Sequence, residues 1–256
     1  MYEFVDSRDS GHINRRPAEA MQINGAYLED LVRGYRTLAV SGRELLIGEA
    51  EIWVRGVANG GRLVKRSLPP RPLTVTYQII SESNFAFREA FNQLNRALMV
   101  EEARLVFEDE QDKYFIGTPS SAGDMPKGTN RIVSEFGIVC ARPWKFGEMV
   151  TEGLRFENIG ICESPCVVRV VFRAATRDYI IRHIEQKRDI RVIWSFDAGD
   201  VLEIDTGRRL VTINGHARMT ALDFRRPMFS IQPGENSLEQ SVPNNWTEIM
   251  YQSRWI

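Results

Sequence analysis

Chemistry at a protein site needs a nucleophile beside a base, a pair of carboxylates or a cluster of metal ligands. The chain has three histidines, His12, His183 and His216. His12 lies in a polar stretch, His183 sits within YIIRHIE, and His216 follows an Asn-Gly pair. None carries an HExxH or GxSxG signature, so each is expected on the surface or in a structural hydrogen bond. Cys140, Cys162 and Cys166 are the only cysteines. Structural zinc wants four ligands at matched spacings, and no histidine lies near the Cys162-x-x-x-Cys166 pair. Small, half-buried apolar side chains in a reducing compartment are the better expectation. Glu203 and Asp205 share one face of a strand, as a glycosidase pair could. Arg208 and Arg209 follow closely and are expected to match these charges across a hairpin. Nucleotide fingerprints are absent, and Gly60-Gly61 lacks the strand-to-helix setting that phosphate needs. No catalytic, cofactor-binding or metal-binding residue is therefore assigned, no binding residue can be named, and an enzyme is not expected.

Exposed aromatics on a β-sandwich could instead hold sugar. Trp194, Trp246 and Trp255 lie in the C-terminal half. Trp194 falls in an apolar alternating strand, and Trp255 shares a strand face with Ile249 and Tyr251, so core positions suit both.

The elements that would carry these residues are mostly strands. GDVLEIDTGRRLVTINGHARM, residues 199–219, holds two turn signals amid alternating apolar residues. Asn214-Gly215 favours a type I′ hairpin, because both central residues need positive φ. An even-length loop at Thr206-Gly207 puts Leu202, Ile204, Val211 and Ile213 on one face. Seven short strands are predicted after residue 146, at 167–173, 179–184, 191–196, 201–205, 210–214, 228–231 and 247–256. Their roughly ten-residue spacing is a sandwich pattern.

The first half is more varied. Asn24-Gly25 is a second hairpin signal. Tyr35, Thr37 and Ala39 alternate against Arg36, Leu38 and Val40 in a predicted strand. A long hairpin is predicted over about 51–68, with Gly60-Gly61 near its tip and Pro69-Pro70 closing it. It has no core of its own, so it either needs a partner or is a solvated loop. LTVTYQIIS, residues 73–81, is predicted as a strand, being rich in branched and aromatic residues. Phe87, Phe91, Leu94 and Leu98 form one stripe of the single predicted helix, capped by Ser83 or Asn84. A hairpin over 103–118 turns at the acidic residues 109–112. The proline, glycine and aromatics of RPWKFG, residues 142–147, mark a domain boundary.

At 256 residues the chain suits two domains. Its 43% hydrophobic and 26% charged residues are ordinary for a globular protein. A formal net charge of −1 argues against nucleic acid as a specific partner. No apolar run reaches membrane-span length, and no secretory signal opens the chain.

The order of these pieces resembles siphophage distal tail proteins (Dit). MYEFVD, NGAYLEDLVRGYRTLAVSGRE, FAFREAFNQLN, DEQDKYFIGTP and RPWKFG resemble the family's first domain. The 199–219 segment, FSIQPGENSLE and YQSRWI resemble its second. The resemblance implies a mainly β protein: an N-terminal arm (1–20), a ring-forming β domain with one helix and a protruding belt hairpin (21–145), and a galectin-like antiparallel β-sandwich (146–256). The belt would clasp a neighbouring copy and close a hexameric ring at the virion tail tip. That ring would join the tail tube to the baseplate, tail hub or tail-associated lysin and adsorption apparatus, with tape-measure and receptor-binding proteins as further partners. Synthesis would take place in the bacterial host cytoplasm. The competing function is a carbohydrate-binding adaptor that attaches the tail to wall polysaccharide.

Overall fold

The computed structural model describes residues 16–54, 56, 59–124 and 128–256. His12 and residues 1–15 of the expected arm lie outside the described residues. The described chain falls into two compact units, one ending at Lys145 and taking in Ile256, the other spanning Phe146–Trp255.

In the first unit, Asn24 (φ 50°) and Gly25 (φ 89°) turn β1 (Met21–Ile23) into β2 (Ala26–Tyr27). A single helical turn, α1 (Leu28–Leu31), precedes β3 (Tyr35–Ser41). Then come β4 (Glu49–Val54), β5 (Gly61–Ser67), β6 (Arg71–Ile80) and α2 (Asn84–Leu98). The unit continues with β7 (Ala103–Phe107), β8 (Glu110–Ala122) and β9 (Arg131–Cys140). Antiparallel pairing runs β3-β6-β9-β8-β7-β1-β2.

Strict alternation in β6 sends Leu73, Val75, Tyr77 and Ile79 inward, each at most 1% exposed. The α2 stripe packs on this core, with Phe87 and Leu94 buried and Phe91 and Leu98 half-buried. Ser83 caps α2, its Oγ accepting from Ala86 N at 3.2 Å. Ser83→Ala should lower stability by about 1 kcal/mol in urea titration; an unchanged midpoint would show that the cap contributes nothing.

Two elements depart from the sequence pattern. A bulge between Thr37 and Ala39 resets the phase of β3, so Val40 is buried while Leu38 and Ala39 are exposed. The 103–118 hairpin turns earlier than predicted, since Phe107 already opposes Glu110. Glu110 is held there by Lys145 at 2.7 Å and Lys113 at 3.1 Å. Burial alone would raise its pKa, but the two ammonium groups win and hold it below the usual value.

Arg71 opens β6 and is fully buried. Its Nε donates to Pro143 O at 2.9 Å, and its Nη1 donates to Gly42 O at 2.8 Å and Arg43 O at 3.1 Å. Burial pulls its pKa down from the ordinary guanidinium value. Arg43 itself forks onto Asp109, at 3.1 and 2.7 Å, with its guanidinium 4.1 Å above the Phe107 ring. The chain before β4 is thus fixed by two arginines.

The second unit contains β10 (Lys145–Glu152, from Phe146 onward), β11 (Arg155–Asn158), β12 (Cys166–Val171), β13 (Thr176–His183) and β14 (Arg188–Phe196). It is completed by β15 (Val201–Asp205), β16 (Leu210–Ile213), β17 (His216–Ala217), β18 (Gly234–Gln240) and β19 (Trp246–Trp255). One sheet runs β17-β16-β15-β12-β19-β10 and the other β11-β18-β13-β14. Val168, Leu202, Ile204, Val211 and Ile249 of the first share one core with Tyr179, Ile181, Val192 and Leu238 of the second. Two antiparallel sheets over a common core make a sandwich. Phe172 stacks on Phe196 with ring centroids 4.0 Å apart. The predicted face of the 201–213 hairpin is observed: Leu202 opposes Ile213, Ile204 opposes Val211, and all four are buried. The predicted 228–231 strand is instead an extended segment with a single bridge from Ile231 to Ser164.

Candidate functional site

The residues capable of chemistry are dispersed and tied into structure. His183 is fully buried, with Nε2 2.9 Å from Asn236 Oδ1 and Nδ1 3.1 Å from Glu185 Oε2. Asn236 in turn donates to Gln232 O and Gly234 O. This network fastens the end of β13 to the start of β18. His216 is exposed in a two-residue strand.

Burial favours the neutral form of all three thiols. Burial pushes Cys140 up to about 11 and Cys166 up to about 12, and raises Cys162 as well. Among the described residues, no group of three or more His, Cys, Asp or Glu is placed to hold a metal ion. Cys140 and Cys166 should stay unlabelled by iodoacetamide in native protein at about pH 8 and react in urea. The raised pKa also gives a sign for stability. Unfolded thiols release protons near their ordinary value of 9.0, while folded Cys140 holds its proton to about 11. Stability is then full below the first value and falls as pH rises towards the second. Denaturation midpoints measured across that window check it.

Glu203 and Asp205 are charge-matched, though partly by a different arginine. Arg169 on β12 lies 3.6 Å from Glu203 and 3.9 Å from Glu248, following the strand register. Arg208 covers Asp205 at 3.7 Å. Arg209 is in the turn at φ 54°. These exposed ion pairs describe a solvated face. Among the tryptophans, Trp194 packs against the second core with Arg218 5.7 Å from its ring. Trp246 is 57% exposed.

The outstanding surface is the β4–β5 hairpin. Its strands pair with each other and with no other strand among the described residues. Every residue of both is exposed. Glu51 opposes Lys65 and Ile52 opposes Leu63, with a bulge that skips Val64. This register sorts the side chains into two faces. Glu49, Glu51, Trp53, Arg62 and Lys65 share one. Ala50, Ile52, Val54 and Leu63 share the other, alongside Arg66. Gly61 opposes Val54, and a Cβ there would lie 2.4 Å from Ile52 Cγ2, so Ile52 lies over the glycine. Ile52, Val54 and Leu63 are 58%, 64% and 56% exposed, and the preceding Leu45 and Ile47 are more so. A contiguous apolar stripe with a charged rim is the composition of a protein interface. Leu45 and Ile47 escape notice in the sequence because GRELLIG lacks a clear period.

Residues 159–255 match the family model described as Siphovirus-type tail component, C-terminal domain. The match lies wholly within the sandwich unit. Over 223 residues the chain is 26% identical to the distal tail protein of Bacillus phage SPP1, spanning 82% of this chain and 87% of that one. The crystal structure of SPP1 Dit has the same fold, with a TM-score of 0.82 at 19% identity over 94% of this chain and all of the other. In sequence and in fold the chain is similar to siphophage distal tail (Dit) proteins. No helix among the described residues is long and apolar enough to cross a membrane.

Proposed function

We propose that this structural component of the phage tail tip works as a closed ring, six copies in the reading adopted here. Each copy lays its β4–β5 hairpin on the next. The observation that carries this reading is the hairpin itself: an apolar stripe more than half exposed in the single chain, on a base held by Arg43 and Arg71. Head-to-tail contacts between unlike surfaces close into rings. Residues 1–20 act as an arm, residues 21–145 as the ring body, and residues 146–256 as an outward, galectin-like sandwich. The ring links the tail tube to the tail hub and adsorption apparatus after synthesis in the host cytoplasm, and it has no enzymatic role. SPP1 Dit, described as a paradigm of the hub adsorption apparatus in phages infecting Gram-positive bacteria, supports that placement.

Light scattering on the purified chain, followed by negative-stain imaging, tests the proposal. A discrete cyclic species is expected, alone or with the tube or hub protein. Monomers at every concentration, with and without those partners, would overturn it.

A further inference from the structure

We propose that Asn59–Gly60, at the outer end of the β4–β5 hairpin, is a self-modification site, where the chain converts asparagine to isoaspartate and aspartate without an enzyme. Asparagine followed by glycine is the pairing that favours this step, because no side chain hinders the glycine nitrogen. The chain has three such pairs, Asn24-Gly25, Asn59-Gly60 and Asn214-Gly215. The fold holds them differently.

Two are clamped. Asn24 and Asn214 each hold φ at 50°, in two-residue turns closed directly by the ladder pairs Ile23–Ala26 and Ile213–His216. Asn24 Oδ1 accepts from Arg104 N at 2.9 Å, and Asn24 N donates to Arg104 O at 2.8 Å. Asn214 is held at three points. Its Oδ1 accepts from Val201 N at 2.9 Å, its Nδ2 donates to Asp200 Oδ1 at 2.8 Å, and its backbone N donates to Val201 O at 2.8 Å. Asn59 instead lies beyond the last ladder pair of its hairpin, Val54–Gly61, and both Asn59 and Gly60 are exposed. Among the described residues no side-chain hydrogen bond holds Asn59.

The reaction is intramolecular, so freedom to reach the attacking geometry decides its rate. The Gly60 nitrogen gives its proton to hydroxide and attacks Asn59 Cγ. An N–Cγ bond forms, the Cγ–Nδ2 bond breaks, and ammonia leaves with a proton taken from water. A second water then opens the cyclic imide. Entry at the Asn59 backbone carbonyl carbon leaves Gly60 joined through Cγ, an isoaspartyl link; entry at Cγ leaves aspartate. Water is the only co-reactant. Asn24 and Asn214 must first break their hydrogen bonds and leave their turns. Losing bonds of this kind is worth about a tenfold difference in rate. Either product puts a negative charge at the end of the hairpin, and the isoaspartyl link adds an atom to its backbone. A consequence for assembly rests on the ring reading; the step itself does not.

The test is ageing of full-length native protein in mildly alkaline buffer at physiological temperature, followed by tryptic peptide mapping. Cleavage after arginine puts the three pairs in separate peptides, residues 16–33, 56–62 and 210–218, each with a single asparagine. The 56–62 peptide should gain one mass unit at least about tenfold faster than the other two, and elute as an isoaspartyl and an aspartyl form. In guanidinium chloride all three should convert at similar rates. The same course is followed in the chain carrying Ile52→Asp and Leu63→Asp, in which no neighbouring copy is expected to cover the hairpin. A tenfold lead for 56–62 in either folded form, lost on unfolding, supports the site. A smaller lead in both forms, or one that persists in guanidinium chloride, would overturn it. Light scattering on the same samples reports separately on the ring, so either reading can fail alone.

Discussion

Ile52→Asp combined with Leu63→Asp should abolish the ring while leaving each copy folded. These residues face each other across the hairpin, on its apolar side. Both are more than half exposed in the single chain. Replacing them should therefore change the stability of the single chain by no more than about 0.5 kcal/mol, as at other surface positions. In the assembled ring the same positions would be covered. Two carboxylates would then be desolvated side by side without partners, at a cost of several kcal/mol each. Every contact around a ring repeats that cost, so the cyclic species should vanish instead of weakening. Light scattering should give the monomer mass, and the far-ultraviolet circular dichroism spectrum should overlay the wild type. A control swaps Glu51 and Lys65, which oppose each other on the other face; that pair should assemble as before. A ring that persists in the double aspartate variant would remove the apolar stripe from the interface.

Arg71→Ala should be the most destabilising single substitution in the first unit, by about 3–5 kcal/mol. Three carbonyls depend on this guanidinium: those of Arg43 and Pro143, in buried bonds, and that of Gly42, in a part-buried one. Each orphaned carbonyl costs about 1–3 kcal/mol, and relief of the buried charge offsets part of the sum. Arg71→Met should recover the packing share, since it fills the volume but donates nothing. The expected order of urea midpoints is wild type, then Met, then Ala. The two units can melt apart, so a probe within the first unit is needed. A loss below about 1 kcal/mol would mean that water takes over the three carbonyls.

Much of the architecture is legible in the residues because burial imposes a period. The α2 stripe, the β6 alternation and the 201–213 hairpin each repeat apolar residues at the spacing of their backbone, and each has the predicted face. Other elements hide for identifiable reasons. In β18 the inward position of Asn236 is polar, satisfied by Gln232 and Gly234, so GENSLEQ resembles a turn. In β10, Gly147 resembles a breaker. A Cβ there would meet the Trp255 ring at 3.0 Å, so the glycine admits a close aromatic neighbour. The β3 bulge shifts the alternation midway. The interface stripe is harder still, since Ile52, Val54 and Leu63 follow the same pattern as core residues. Only their exposure separates a partner surface from an interior.

The β4–β5 hairpin also bears on what happens before assembly. Among the described residues each of its strands has an unpaired edge, and such edges invite indiscriminate strand addition and aggregation. Glu49, Glu51, Arg62, Lys65 and Arg66 interrupt the apolar run, and the bulge at Val64 spoils a straight edge. These are gatekeepers. They let an exposed apolar hairpin stay in solution before it meets a partner. Solubility during that interval, and not only grip afterwards, is a demand that the hairpin's charges meet.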